Sequence, residues 1–330
     1  MKKKILLVYT NFTSFVKGDY DILSTTHDVT LSRFRLNHPR QVPFSLLLQC
    51  FRLLFTLHRY DKVYIWFGDY HSFLPVLFAR LYRKPCYLVV GGYDVCRMRD
   101  LKYGSFKNPV RGFMTRFSMC HCTRNLTVSH FVHRRVKAIT HRDNATLIFN
   151  GTNIKQESVQ ATDKRDIVLT VATIPSEQVY LRKGIDRFIE AAMNLPEYRF
   201  ILVGISPKID YMYAMKPDNM EVYDRLPQND LVRFYREAKV YCQLSRMDTF
   251  CMTLAEGMLY NCVPVITRVG GMPEVVGDTG FILHEEDQRG IESAIREAMQ
   301  RPYSTRYRQR IEEHFLLSIR QERLLAFLAE

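Results

Sequence analysis

Two carboxylates, Asp248 and Glu256, stand eight positions apart in SRMDTFCMTLAEGMLYNCVPVITRVGGMPEVV (residues 245–276). The apolar run CVPVI and the pair Gly270-Gly271 follow them. At 3.6 residues per turn, such carboxylates project to roughly the same side of a helix. A carboxylate there can accept two hydroxyl hydrogen bonds at once, as a ribose 2′,3′-diol offers. Phe250–Thr253 are expected to open a helix, whose free backbone N–H groups favour a phosphate. The glycine pair lets backbone come close to a ligand. Diol acceptor, phosphate nest and glycine turn together fit a sugar nucleotide.

These residues need a scaffold that gathers them, and ligands of open parallel sheets sit beyond the carboxyl ends of strands. The first half alternates expected strands (4–9, 28–34, 62–67, 85–92, 125–129, 145–151) with helices (19–24, 43–58, 72–82, 109–122) and a basic helix before the last strand. Pro75 is placed in the first turn of helix 72–82, where proline is tolerated. The second half repeats the pattern, with strands at 167–173, 199–204, 220–224, 239–245, 262–266 and 280–283. Its helices are expected near 184–194, 228–238, 250–260 and 287–300, and one long Arg-rich helix, 303–329, closes the chain. Short apolar strands between helices imply parallel sheets covered on both faces. The fold class is therefore α/β, two doubly wound domains in tandem.

With 330 residues and 47% hydrophobic composition, the chain can bury two cores. Its charge is uneven. Residues 1–155 carry 25 Lys and Arg against eight Asp and no Glu, a net +17. Residues 156–330 carry 22 against 26, a net −4. That break places a domain boundary near residue 155 and makes the first half a candidate for an anionic partner. No nucleic-acid recognition motif or interleaved aromatic stripe accompanies the charge, so a nucleic-acid partner is not expected. The start MKKKILLVYT reads as a strand, its apolar run being too short for a signal peptide. The Asn-x-Thr sequons at Asn11, Asn125, Asn144 and Asn150 are then chance matches. Residues 42–57, broken by Gln49 and Arg52, fall short of a membrane span and form a core helix or an interfacial one. Cys120-His121-Cys122 lacks the second ligand pair of a zinc site and reads as helix packing.

The stretch 245–276 resembles the signature of glycosyltransferase family 4, retaining enzymes of GT-B fold. An acidic residue, seven intervening residues, Glu, Pro-Val and Gly-Gly-x-x-Glu match at Asp248–Glu256, Pro264-Val265, Gly270-Gly271 and Glu274. RKGID (182–186) is similar to the family's Lys-Gly phosphate-binding segment, FNGTN (149–153) to its interdomain Asn-Gly segment, and VVGGYDV (89–95) to a bacterial and archaeal branch. The resemblance covers nearly the whole chain and is looser in the first half. It implies an N-terminal acceptor domain (1–155), a donor domain (156–302), a cleft between them, and a C-terminal helix (303–330) crossing back to the first domain.

By resemblance, Glu256 binds the donor ribose and Asp248 contacts donor-sugar hydroxyls. The main chain of Phe250, Cys251, Met252, Thr253 and Leu254, with the Thr253 hydroxyl, approaches the diphosphate or sugar. Lys183 and Arg182 neutralise the leaving diphosphate. Thr173 stands where the family has a phosphate arginine. Asp94 and Tyr93 face the reacting sugar, beside Gly92 and Gly91; Gly91 replaces a family histidine. The implied activity is retaining, metal-independent transfer of a hexose from a nucleotide diphosphate sugar to a hydroxyl acceptor, without a cofactor. The Asp-x-Asp of metal-dependent relatives is read as lacking. The acceptor is expected to be a lipid-linked glycan of surface-polysaccharide synthesis, with the enzyme peripheral on the anionic inner face of the plasma membrane, in the cytoplasm. The rival readings are a degenerate GT-B scaffold and a nucleotide-sugar epimerase. Plainer readings stand beside these roles. Asp248 is also a candidate N-cap of helix 250–260. Lys183 is a candidate helix-start charge. His71 is read as a satisfied core residue, and Glu274 as a structural helix-start carboxylate.

Overall fold

The computed structural model describes residues 2–35, 41–152, 160–206, 209, 216–284 and 287–329. Two compact units divide the chain, Met1–Asn150 with Leu317–Glu330, and Gly151–Leu316. Residue 155, Asn153 of FNGTN and Glu330 lie outside the described residues.

The first unit runs β1 (Lys4–Tyr9), α1 (Ser14–Thr26), β2 (Asp28–Arg33), α2 (Val42–Thr56), β3 (Lys62–Trp66), α3 (Tyr70–Leu81), β4 (Cys86–Val90), α4 (Pro109–His121), β5 (Arg124–Thr127), α5 (His130–Thr140) and β6 (Ala145–Leu147). Its sheet is parallel, in the order β2-β1-β3-β4-β5-β6. Every residue of β3 and β4 is buried, as strands covered on both faces require.

The second unit runs β7 (Arg165–Ile174), α6 (Glu177–Lys183), α7 (Ile185–Asn194), β8 (Arg199–Ile205), β9 (Met220–Asp224), α8 (Gln228–Glu237), β10 (Ala238–Gln243), α9 (Met252–Leu259), β11 (Val263–Thr267), α10 (Met272–Val276), β12 (Phe281–Leu283), α11 (Gln288–Gln300) and α12 (Arg306–His314). Its sheet order is β12-β11-β10-β7-β8-β9, again parallel.

The expected helix 303–329 is two helices. After α12 the chain breaks at Phe315, and α13 (Leu317–Ala329) follows. The Phe315 ring is buried, 5.4 Å from that of Phe250, and its carbonyl accepts the Thr152 N–H at 2.9 Å. A continuing helix would have kept both groups on its own axis. Residues up to Leu316 therefore belong to the second unit and only α13 to the first.

Arg320 anchors α13 to the first unit. Its guanidinium grips Asp19 at 2.6 and 2.7 Å and donates to the carbonyls of Ile148 (3.0 Å) and Phe149 (2.9 Å). Tyr64 adds an O–H bond to Asp19 at 2.7 Å. Burial and the Asp19 charge push that hydroxyl well above its usual range, keeping it a donor. A second tie joins the Lys62 ammonium to the Leu328 carbonyl.

Pro75 lies inside α3, not in its first turn. The helix starts earlier because Asp69 and Ser72 form a capping box. Proline cannot donate to the carbonyl four residues back, at His71. The Gln49 amide replaces that donor at 3.0 Å.

Candidate active site

β7 and β10 are neighbours, yet the sheet continues from β7 through β8 and β9 on one side and from β10 through β11 and β12 on the other. Such a reversal opens a crevice at the strands' carboxyl ends. The segments leaving β7 and β10 are where the candidate residues stand.

The α6–α7 corner is held against the end of β10. Gly184 is left-handed, and a Cβ on it would fall 1.8 Å from the Leu244 carbonyl oxygen, so only glycine allows this approach. Arg246 clamps the corner. Its N–H donates to the Arg182 carbonyl (2.8 Å), and its guanidinium binds Asp186 bidentately at 2.6 and 2.8 Å. Arg182 returns a bond to the Met247 carbonyl at 3.2 Å. Lys183 is thereby the last residue of α6 and not a helix-start charge, because Gly184 caps the helix.

Lys183 Nζ lies 2.5 Å from Asp248 Oδ2, both side chains being mostly buried (16% and 12% exposed). Burial alone would raise the Asp248 carboxyl; the Lys183 and Arg182 charges outweigh it and leave the group below its ordinary value. An ammonium has three donors, and Asp248 takes one. Asp248 is not the N-cap of α9. The helix starts only at Met252, after Cys251 in the left-handed region (φ 67°), and Asp248 instead accepts the Thr249 N–H at 2.9 Å. A left-handed cysteine costs about 1–3 kcal/mol, and such strain clusters at functional turns.

The glycine pair has a different use from the one expected. A Cβ on Gly270 (φ 56°) would fall 1.7 Å from the Asp248 carbonyl oxygen, and the Gly271 N–H donates to that oxygen at 3.1 Å. The close approach is to the Asp248 main chain, and it fixes the carboxylate's position.

Glu256, on α9, is 8% exposed. Tyr235 O–H donates to its Oε2 at 2.9 Å and Gln228 Nε2 to its Oε1 at 3.2 Å. The two carboxylates thus have separate partners, where the spacing alone implies a shared direction. Burial pushes the Glu256 carboxyl up to about 7, against the pull of the Tyr235 hydrogen bond. The native state therefore keeps a proton on Glu256 that the unfolded chain has lost. Stability falls as pH rises from about 4.5 to about 7, and is flat beyond. Glu256→Gln is expected to remove that fall, on the order of 2–3 kcal/mol, in denaturant titrations at pH 5 and pH 8. Equal pH slopes in both proteins would refute it.

The side chains of Phe250 and Leu254 are core residues, so only their main chain is open to a ligand role. Cys251 is buried as well; its thiol is pushed up to about 12, chiefly by burial. The Thr253 hydroxyl accepts from Tyr241 at 2.8 Å. Met252 is half-buried, and Thr173 is exposed near the end of β7.

In the first unit stands Asp94, which the resemblance places facing the reacting sugar. It is fully buried and accepts the N–H groups of Gly68 (3.0 Å), Gly91 (3.2 Å) and Gly92 (2.6 Å), pinning the loops after β3 and β4. Burial raises it to about 6, with those backbone bonds pulling the other way. At Gly91 a Cβ would meet the Phe67 ring at 2.2 Å, so phenylalanine fills the space a longer residue would need. Tyr93 is half-buried and accepts from Arg111 at 2.5 Å, and Arg111 pairs with Asp69 at 3.0 Å. His71 is buried with Nε2 2.8 Å from the Trp66 carbonyl, a core histidine.

His121 and Cys122 bond within the turn before them and the Cys120 carbonyl accepts from Arg142 at 2.9 Å; among the described residues no cluster of three His, Cys, Asp or Glu could hold a metal. One Asp-x-Asp does stand in the chain, Asp19-Tyr20-Asp21, contrary to the sequence reading. Arg320 and Tyr64 occupy Asp19, and Lys17 pairs with Asp21. Composition patterns miss four residues that shape the site: Tyr235, Gln228, Arg246 and Asp186. The Gly184 cap after two basic residues could have located the corner that Arg246 and Asp186 hold; nothing local announces Tyr235 or Gln228.

The two-unit architecture is the GT-B fold, and solved structures match along the whole chain. Sucrose-phosphate synthase of Thermosynechococcus elongatus aligns at a TM-score of 0.81 and 12% identity, covering 99% of this chain and 98% of that one. The Anabaena protein HepE, solved with UDP and glucose, aligns at 0.73 and 13% identity, covering 99% of each. Residues 152–314 match the family described as glycosyl transferases group 1. A phosphatidylinositol N-acetylglucosaminyltransferase component from Arabidopsis thaliana is 28% identical over 141 residues, 40% of this chain and 31% of that one. An uncharacterized glycosyltransferase of Methanocaldococcus jannaschii is 23% identical over 198 residues, 58% of this chain and 54% of that one. The chain spans about a third to a half of these relatives' lengths.

Proposed function

We propose that this protein is a retaining, metal-independent glycosyltransferase of family 4 that moves a hexose from a nucleotide diphosphate sugar to a hydroxyl acceptor. The observation that carries the reading is the Lys183–Asp248 pair, 2.5 Å apart at the β7/β10 reversal, in a segment that matches group 1 glycosyl transferases. Lys183, with Arg182 beside it, neutralises charge growing on the leaving diphosphate, where a preorganised cation acts most strongly. No metal ion is assigned that task. Asp248 orients Lys183 and accepts sugar hydroxyls; Glu256 accepts the ribose diol. Asp94 holds the loop that carries Tyr93. UDP is the first nucleotide to test, since the Anabaena structure was solved with it.

The first unit takes the acceptor, which we assign to a lipid-linked glycan at the cytoplasmic face of the membrane. Residues 1–155, which include nearly all of that unit, carry a net +17 against −4 in the remainder, and this supports that assignment. Among the described residues no helix is long and apolar enough to cross a membrane, and no disulfide joins the cysteines.

Calorimetry tests the donor site. At pH 8, where the Glu256 carboxyl is ionised, Glu256→Ala is expected to weaken UDP-sugar binding by about 1.5–3 kcal/mol, the worth of hydrogen bonds to a charged group. Asp248→Ala is expected to spare UDP binding and damage sugar transfer. Unchanged donor affinity in Glu256→Ala would remove the central assignment. Donor turnover without any acceptor would favour an epimerase.

A further inference from the structure

α2 wears its apolar residues on the outside. Phe44, Leu47, Leu48, Phe51, Leu54 and Phe55 are between 43% and 71% exposed, while α2 buries only Val42, Gln49 and Leu53. Their i, i+3, i+4, i+7 spacing puts them on one face. Six such side chains make an open apolar patch on the order of several hundred Å², as large as monomers carry or larger. A helix serving only the core would be turned the other way.

Beside this stripe lies a groove of about 550 Å³, lined by Arg33, Arg35, Arg52, Gln41, Ser45 and Gln49 among others, and among the described residues by no Asp or Glu. Three guanidiniums at one groove suit a phosphate, which each can grip through two N–H groups. Gln49 is more than nine-tenths buried there. Its amide N–H supports the carbonyl freed by Pro75, and its Oε1 has no partner among the described residues.

Resting on the reading of the first unit as the acceptor domain, we propose that α2 and this groove are a docking site for an anionic phospholipid bilayer. The stripe enters the boundary between headgroups and acyl chains, and the arginine groove takes a lipid phosphate. Charge selects this occupant. A second copy of the chain would bring the same three arginines and the same net +17 of residues 1–155 against the first, which like-charge repulsion opposes. A helix that is apolar on one side, basic at its edge and short of a span lies in the interface plane.

The test is sedimentation of the full chain with phosphatidylcholine vesicles containing about one third phosphatidylglycerol, against pure phosphatidylcholine. Binding is expected only to the anionic vesicles. Arg52→Ala is expected to lower partitioning about fivefold, the effect of one basic contact at the surface. The double variant Leu48→Asp, Phe51→Asp is expected to lower it at least about tenfold. UDP thermal shifts, which read the second unit, are expected to be unchanged in all variants. Wild-type protein ignoring anionic vesicles, or the double variant binding as wild type, would overturn the docking site. So would light scattering that shows a dimer dissolved by Leu48→Asp, Phe51→Asp, which would make a second copy the occupant. Vesicle binding without any nucleotide-sugar binding would leave the docking site standing and remove the enzymatic reading alone.

Discussion

Arg320→Ala is expected to cost the first unit about 3–5 kcal/mol, enough to unfold a marginal domain. The arginine is 4% exposed and Asp19 fully buried, so truncation strands a carboxylate in the core. It also removes the donors to the Ile148 and Phe149 carbonyls. The only tryptophan, Trp66, lies in this unit with the Arg320 guanidinium 5.6 Å from its ring, so its fluorescence in a urea titration reports the right transition. Replacing both charges with apolar residues, Arg320→Met with Asp19→Leu, is expected to recover much of the loss, because no unpaired charge remains. Tyr64→Phe should cost only about 1 kcal/mol, one hydrogen bond. A loss below about 1 kcal/mol in Arg320→Ala would mean that α13 is held mainly by its apolar face.

Lys183→Ala is expected to lower turnover by two to three orders of magnitude, about 2.7–4 kcal/mol of transition-state stabilisation. The lysine's stem is fixed by the α6–α7 corner and its charge by Asp248, so on the proposed mechanism the cation is already in place before negative charge grows on the leaving group. Asp248→Asn separates two parts of its role. If Asp248 only orients the lysine, Asn should raise KM little and lower kcat modestly; if it also holds the sugar, KM for the sugar nucleotide rises more than Kd for UDP. Initial rates with excess chelator provide the metal control, and most activity is expected to remain. Activity abolished by chelator and restored by manganese would overturn the mechanism, and so would wild-type turnover in Lys183→Ala.

The strands are legible because each is an apolar run bounded by polar turns, and burial on both faces requires such runs. The Asp248–Glu256 spacing likewise marks the region of the site. What the residues face is less legible, because tertiary contacts decide it. Tyr235 and Gln228, from another helix, claim Glu256, and nothing in the local pattern around Glu256 announces them. Asp94 follows two glycines whose N–H groups turn inward, so a residue aligned with a ligand contact is a loop pin. The break at Phe315 has no glycine or proline to signal it; an aromatic contact with Phe250 and one backbone bond to Thr152 make it. The early start of α3 was recoverable, since Asp69-x-x-Ser72 is a capping sequence.

The clasp between Arg320 and Asp19 also orders events during synthesis. The first unit needs α13, which is translated after every residue of the second unit. At roughly 5–20 residues per second, about ten to thirty seconds separate the emergence of Asn150 from that of Arg320. Through that interval Asp19 and the Ile148 and Phe149 carbonyls await their cation, while the second unit acquires all its strands, from β7 to β12, before Arg320 is made. The nascent chain is therefore expected to mature from its middle outward, and ribosome-bound chains stalled before Leu317 should show a protease-resistant second unit beside a sensitive first.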